Sequence, residues 1–95
     1  MNQCASDEAK RADDELNRVY RALLSKESDP DGVAKIKKAE GAWIAYRNAS
    51  LQAMWPVKDK QAEYGPIYPM KVNLLRATLT RRQIVALREL ANEHK

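Results

Sequence analysis

The stretch DDELNRVY at residues 13–20 lies within a segment whose apolar side chains recur every three or four positions. This spacing is typical of a helix that buries one face. Acidic side chains at positions 7 and 8 suit a first helical turn, where the helix dipole favours negative charge. The pattern predicts an amphipathic helix from Ser6 to Lys26, with its apolar face formed by Ala9, Ala12, Leu16, Val19, Tyr20, Leu23 and Leu24.

A second helix is predicted directly after a tight turn. Asp29 can cap it, and Pro30 suits its first position because a proline has no amide hydrogen to lose there. The helix should run to about Trp55, before Pro56 ends it. Its buried stripe is predicted to comprise Val33, Ile36, Ala39, Trp43, Tyr46, Arg47, Leu51 and Met54.

Two helices joined by so short a turn are expected to form an antiparallel hairpin. A turn centred near residue 29 places Leu16 opposite Trp43, which we expect to lie inside the hairpin. The same register places Asp13 beside Arg47, and we predict an ion pair between them with charged groups within about 6 Å.

The register also assigns roles to two other polar side chains of the hairpin. Asn17 falls opposite Gly41, where the missing side chain is expected to allow close approach of the helices. The hydroxyl of Tyr46 is expected to have its partner on the first helix.

The second half of the chain begins with a long connection. Pro56 to Tyr68 shows no helical period and predicts a loop of about 13 residues, longer than most connections in compact domains. A third helix should start near Pro69, and Thr80 with Gln83 could cap a fourth, unless the two are one kinked helix. The fold class is therefore all-α: a compact bundle of three to four helices forming a single domain over residues 1–95.

Charge is distributed unevenly along the 95 residues, whose net charge is +4. Residues 1–47 contain nine basic and nine acidic side chains, whereas residues 48–95 contain eight basic and four acidic ones. This excess either attracts an anionic partner or forms a solvated surface. No run of about 18 apolar residues exists, so no transmembrane segment is predicted.

Catalytic and cofactor chemistry find little support in the sequence. Nucleophilic catalysis needs a base close to the nucleophile, yet the one cysteine, Cys4, and the one histidine, His94, stand near opposite ends. No histidine or cysteine pair has the spacing of metal ligands. We therefore expect a protein that is not an enzyme and holds no cofactor. Residues 79–93 resemble the opening of a helix-turn-helix domain but leave no room for a recognition helix, so sequence-specific nucleic-acid binding is not expected.

The long connection carries the side chains that we consider candidates for partner binding. They combine aromatic rings with cations, a composition common in interface hot spots: Trp55, Lys58, Lys60, Tyr64 and Tyr68. The alternative is that the aromatic rings only hold the connection against the bundle.

Several motifs, taken in order, resemble those of the bacterial LprI-like lysozyme-inhibitor family, and the resemblance covers nearly the whole chain. The structural motif residues among them are Asp13, Leu16, Asn17, Tyr20, Trp43, Tyr46 and Arg47. Further matches are Gly65 and the segments 1–4, 67–70, 79–81 and 87–88. The chain differs where the family often carries two cysteines, because Leu51 and Leu75 stand there. An apolar contact is expected in place of that disulfide.

The resemblance implies a non-catalytic, envelope-associated binding protein that inhibits a lysozyme (muramidase) by inserting loop 56–68 into its cleft. The alternative is a structural or regulatory protein–protein interaction module without an enzyme target. Muramidases of the animal type are basic, so a net charge of +4 fits an acidic target or an anionic cell-wall polymer better. The protein is expected to be periplasmic or secreted if residue 1 is internal to an exported precursor, and cytoplasmic if Met1 is the native start.

Overall fold

Three long helices make up most of the computed structural model, which describes residues 2–58 and 63–93. Helix α1 spans Asn2–Lys26, α2 spans Pro30–Met54 and α3 spans Tyr68–Glu93. Within those described ranges no residue lies in a strand, and the predicted all-α bundle is confirmed. Met1, Lys60 and His94 lie outside the described residues.

The boundaries of α2 follow from its capping residues, as predicted. The carboxylate of Asp29 accepts a hydrogen bond of 3.0 Å from the backbone N–H of Asp31, and Pro30 occupies the first turn. At the other end, the backbone N–H of Trp55 donates to the carbonyl oxygen of Leu51 at 3.2 Å, and Pro56 follows. The sequence therefore located both ends of this helix to within a residue.

Helix α3 is continuous, which decides between the two predictions for this segment. Thr80, the predicted cap of a fourth helix, is fully buried and donates its hydroxyl to Asp13 Oδ1 across 3.4 Å. The Thr80 side chain therefore contacts α1 and does not cap a new helix, and the backbone of α3 continues through this residue. Helix α3 begins at Tyr68, so the connection is one residue shorter than predicted, and residues 63 and 64 within it are also helical.

Helices α1 and α3 run parallel and pack closely. Glu8 pairs with Arg81 and Glu15 with Arg88, and both pairs are separated by 73 residues in sequence, as a parallel register requires. In the same seam Ala9, Ala12 and Ala77 form a buried cluster. Methyl side chains let two helix backbones approach closely, so α1 and α3 form the tightest seam of the bundle. Helix α1 also begins four residues earlier than predicted, and Ala5 is buried.

Helix α2 runs antiparallel to α1, in the predicted hairpin, but contributes less to the core than predicted. The main cluster consists of Leu16, Leu23, Ile36, Ile84 and Leu87, of which only Ile36 belongs to α2. The stripe predicted for α2 was wrong in part, because Ala39, Tyr46 and Met54 are exposed. The reason is that α3, rather than α2, covers most of the apolar face of α1.

Three arginines of the second half, Arg76, Arg81 and Arg88, pair with acids of α1. Arg81 Nε donates to Glu8 Oε1 at 2.9 Å, and Arg88 donates to Glu15 at 2.8 Å. Hydrogen bonds from Arg11 and Arg81 hold the pKa of Glu8 below its ordinary value. These arginines therefore serve the α1–α3 seam. None of the helices in the described ranges has the length and hydrophobicity needed to cross a bilayer.

Candidate functional site

The structure brings together the three aromatic candidates of the connection. The rings of Trp55 and Tyr68 meet edge to face at 5.6 Å between centroids, and Tyr64 stacks on Tyr68 at 5.7 Å. The hydroxyl of Tyr64 also accepts a hydrogen bond of 3.3 Å from the backbone N–H of Val57. Each ring is half-buried. We call Trp55, Tyr64 and Tyr68 the aromatic cluster, and it holds the two described parts of the connection to each other.

The described backbone beside the aromatic cluster carries exposed side chains. Lys58 is exposed, and Val57 and Ile67 are 41% and 42% exposed. Gly65 has a φ of +81°, a conformation that glycine adopts without strain, and the turn closes with a hydrogen bond from Tyr68 N–H to Gly65 O at 3.2 Å. The described parts of the connection thus expose apolar and cationic side chains, and contacts of the aromatic cluster hold these parts together.

A polar layer links all three helices through Asp13. Its carboxylate lies 3.5 Å from Arg47 Nη1 on α2 and 3.8 Å from Arg76 Nε on α3, and it accepts the hydroxyl of Thr80. The predicted Asp13–Arg47 pair is therefore confirmed. The sequence did not predict that Asp13 also contacts α3, through Arg76 and Thr80.

Arg47 is the most enclosed cation of this layer. Its side chain is 11% exposed, and its guanidinium lies 5.0 Å above the ring of Trp43. Burial lowers the pKa of Arg47, and the charge of Arg76 acts in the same direction, whereas Asp13 and Glu40 oppose the shift. Trp43 is half-buried and packs against the core cluster that contains Leu16, as the register predicted.

Two other predictions for the hairpin were wrong. Tyr46 is 61% exposed, so it is a surface residue rather than part of the buried stripe. Asn17 is also exposed, and a Cβ atom added at Gly41 would meet no atom within 4 Å, so the helices do not approach closely there. The side chains of Tyr20 and Trp43 pack against the core and line the space between the two helices.

The separation of α1 and α2 leaves an open groove of about 480 Å³. We call it the α1–α2 groove. Helix α1 lines it with Asp13, Leu16, Asn17 and Tyr20, and α2 lines it with Lys37, Glu40, Gly41, Trp43, Ile44 and Arg47. Six of the seven residues that the sequence marked as structural motif therefore surround one groove.

Glu40 is the buried groove residue that the sequence analysis did not identify. It is 8% exposed, and within the described part of the chain neither of its buried carboxylate oxygens has a hydrogen-bond partner. Burial raises the pKa of Glu40, although the charge of Arg47 opposes the shift. Burial, and secondly the charge of Glu40, raise the pKa of Tyr20. The sequence did contain a signal for the burial of Glu40: it lies four residues after Ile36 and three before Trp43, on the inward side of α2.

Comparison with known proteins identifies the family. Residues 1–87 match the family model described as "Lysozyme inhibitor LprI", a range that includes α1, α2, the connection and most of α3. The chain belongs to the LprI lysozyme-inhibitor family. An uncharacterized protein of Rhizobium meliloti (strain 1021) is similar, with 30% identity over 102 aligned positions that cover 95% of this chain and 70% of the relative. No solved structure gives a significant match.

Proposed function

We propose that this LprI-family chain is a non-catalytic binding protein of the bacterial envelope that inhibits a muramidase through the connection at residues 56–68. The observation that carries the proposal is the match of residues 1–87 to a family described as lysozyme inhibitors. Action in the envelope requires export, so the proposal places the mature protein in the periplasm or outside the cell.

The geometry of the connection supports its role as the contact surface. The aromatic cluster joins residues 55–58 to residues 63–68, the described parts of the connection, and a backbone held in place before binding loses less conformational entropy on association. Val57 and Ile67 supply exposed apolar surface, and Lys58 supplies an exposed cation. Because the connection joins the end of α2 to the start of α3, it lies at one end of the bundle, where a cleft can receive it.

The positive charge of the protein does not oppose insertion of the connection into a muramidase cleft. A glycosidase cleft generally contains a pair of carboxylates, so Lys58 is complementary to the cleft even when the enzyme as a whole is basic. Like net charges still slow the encounter. We therefore expect the association rate with a basic muramidase to rise with ionic strength, because salt screens the long-range repulsion.

An inhibition assay with matched variants tests the proposal. The protein is titrated into a muramidase hydrolysing a soluble chito-oligosaccharide substrate, and inhibition is expected at micromolar concentration. Lys58→Glu should weaken inhibition about tenfold or more, whereas Lys38→Glu, the same charge change at an exposed position of α2, should leave it nearly unchanged. Absence of inhibition by the unmodified protein at micromolar concentration would refute the inhibitor role.

A second candidate function, a structural or regulatory interaction module, is favoured by the outer face of α2. Ala42, Ala45, Tyr46, Ala49 and Ala53 are exposed and share one side of the helix. Such a face suits packing against another helix.

Sedimentation of the purified protein distinguishes the candidates: self-association abolished by Tyr46→Glu, together with no muramidase inhibition, would favour the module. Binding to wall fragments that weakens with salt would instead favour an anionic polymer as partner.

A further inference from the structure

The α1–α2 groove has the dimensions of a small-molecule site. Its volume of about 480 Å³ falls within the ~300–1,000 Å³ common among ligand pockets. It lies along the sides of two helices, whereas the connection proposed to contact a muramidase lies at the end of the bundle. An inference about the groove is therefore independent of the proposed function.

The groove contains polar groups that the fold leaves unpaired. Both carboxylate oxygens of Glu40 and the Nε atom of Arg47 are buried, and among the described residues none of the three has a hydrogen-bond partner. More than about 90% of buried polar groups in proteins are paired, because an unpaired one has lost its water without replacement. An acceptor and a donor are thus left without a hydrogen-bond partner in two residues that line one groove.

The charges that line the groove favour a neutral ligand. Asp13 and Glu40 contribute two negative charges, and Lys37 and Arg47 contribute two positive ones. An anion or a cation would meet one repulsive pair for every attractive pair. A neutral molecule that offers a donor to Glu40 and an acceptor to Arg47 satisfies both groups without adding charge.

Apolar and planar polar side chains lie next to each other in the groove. Tyr20 and Trp43 present aromatic surface, and Asn17 adds an exposed side-chain amide at the rim. A pyranose ring matches this combination, because its C–H groups contact aromatic carbon while its hydroxyl groups donate and accept hydrogen bonds. An acetamido substituent carries both an N–H and a C=O, so it offers a donor to Glu40 and an acceptor to Arg47.

We propose that the α1–α2 groove binds a neutral acetamido sugar, with the Glu40 carboxylate accepting from its N–H or hydroxyl groups and Arg47 Nε donating to its carbonyl oxygen. Glutamate has freely rotating terminal bonds, so its carboxylate turns into the groove without movement of α2. Trp43 and Tyr20 contact the apolar face of the sugar ring.

An NMR titration of the ¹⁵N-labelled full chain tests this assignment. With N,N′-diacetylchitobiose as the probe, the shifts of amide signals should be concentrated around Asn17, Tyr20 and Gly41. Cellobiose, which has the same linkage but no acetamido groups, should bind at least about fivefold more weakly. Equal binding of cellobiose, or of the small amide N-acetylglycine methylamide, would overturn the acetamido-sugar assignment.

Two methionine variants separate binding from folding. Glu40→Met keeps the side-chain length, removes the acceptor and should weaken chitobiose binding about tenfold, which corresponds to one charge-assisted hydrogen bond. Glu89→Met, at an exposed position of α3, should bind like the unmodified protein. A Glu40→Met variant that is folded and binds equally well, or an unmodified protein with no groove shifts at tens of millimolar probe, would overturn the proposal.

Discussion

The α1–α3 seam and the α1–α2 seam share one helix but are built from different side chains. Between α1 and α3, alanines allow close approach, and arginine–carboxylate pairs link the two helices. Between α1 and α2, aromatic side chains line an open groove, and Glu40 is buried without a hydrogen-bond partner among the described residues. The comparison indicates that the first seam stabilises the fold, whereas the second gives up stability and leaves a groove.

The largest change in the free energy of unfolding should come from Asp13, which contacts both α2 and α3. Asp13→Ala leaves Arg47, Arg76 and Thr80 without their shared acceptor and should lower the free energy of unfolding by about 3 kcal/mol. Asp14→Ala removes an exposed neighbouring carboxylate and should cost less than about 0.5 kcal/mol. Urea denaturation measures both. Equal losses would show that Asp13 does not tie the helices together.

The same enlargement should lower stability much more in the α1–α3 seam than on the exposed face of α2. Ala12→Leu forces three carbon atoms into the fully buried α1–α3 seam and should destabilise the protein by about 2 kcal/mol. Ala42→Leu, on the exposed face of α2, should change stability by less than about 0.5 kcal/mol. If thermal melts show Ala12→Leu to be neutral, the α1–α3 seam is looser than its alanines indicate.

Replacing the unpaired carboxylate should stabilise the protein. Glu40→Met removes a buried group whose pKa burial has raised, and at pH 7 it should increase the free energy of unfolding by about 1–2 kcal/mol. Stability and sugar binding would then change in opposite directions.

The pH dependence of this gain has a definite sign. Because the pKa of Glu40 is higher in the folded than in the unfolded chain, the folded state binds more protons between the two values, and stability falls as pH rises through that window. Below the unfolded pKa of about 4.3 both states are protonated, so the advantage of Glu40→Met should shrink. Melting temperatures of both proteins between pH 4 and 7 test this, and a constant difference would contradict the burial of a charged carboxylate.

The smallest change in stability is expected at Gly41, in the α1–α2 seam. Gly41→Ala adds a methyl group where no atom lies within 4 Å and should stabilise the protein by up to about 1 kcal/mol through helix propensity. Gly32→Ala is the matched contrast, because its Cβ would lie 2.6 Å from the side chain of Glu27. A destabilising Gly41→Ala would show that the helices are closer than the structure indicates.

Local signals in the sequence predicted the helices well, while the partners of each helix were harder to predict. Asp29, Pro30 and Pro56 determine the ends of α2 through backbone chemistry alone, and the short turn determined the Asp13–Arg47 register. No local signal showed that α3 would cover α1. Tyr46 was therefore assigned to the core, and Thr80 to a helix cap.

The candidate site was predictable to a similar extent. The motif residues around the groove were recognised, because their spacing placed them on facing helices. Glu40 was missed because a glutamate on a helix is usually solvated, and its burial depends on how far apart α1 and α2 stand. That distance is a tertiary property, which no local pattern in the sequence determines.

Native-state hydrogen exchange tests the contrast between the seams most directly. Amides in the middle of α1 and α3 should exchange only through global unfolding, whereas those of α2 from Glu40 to Leu51 should open at a free energy at least about 1 kcal/mol lower. Acetamido-sugar binding should reduce that gap. Equal protection of all three helices, or greater protection of α2 than of α3, would contradict the account.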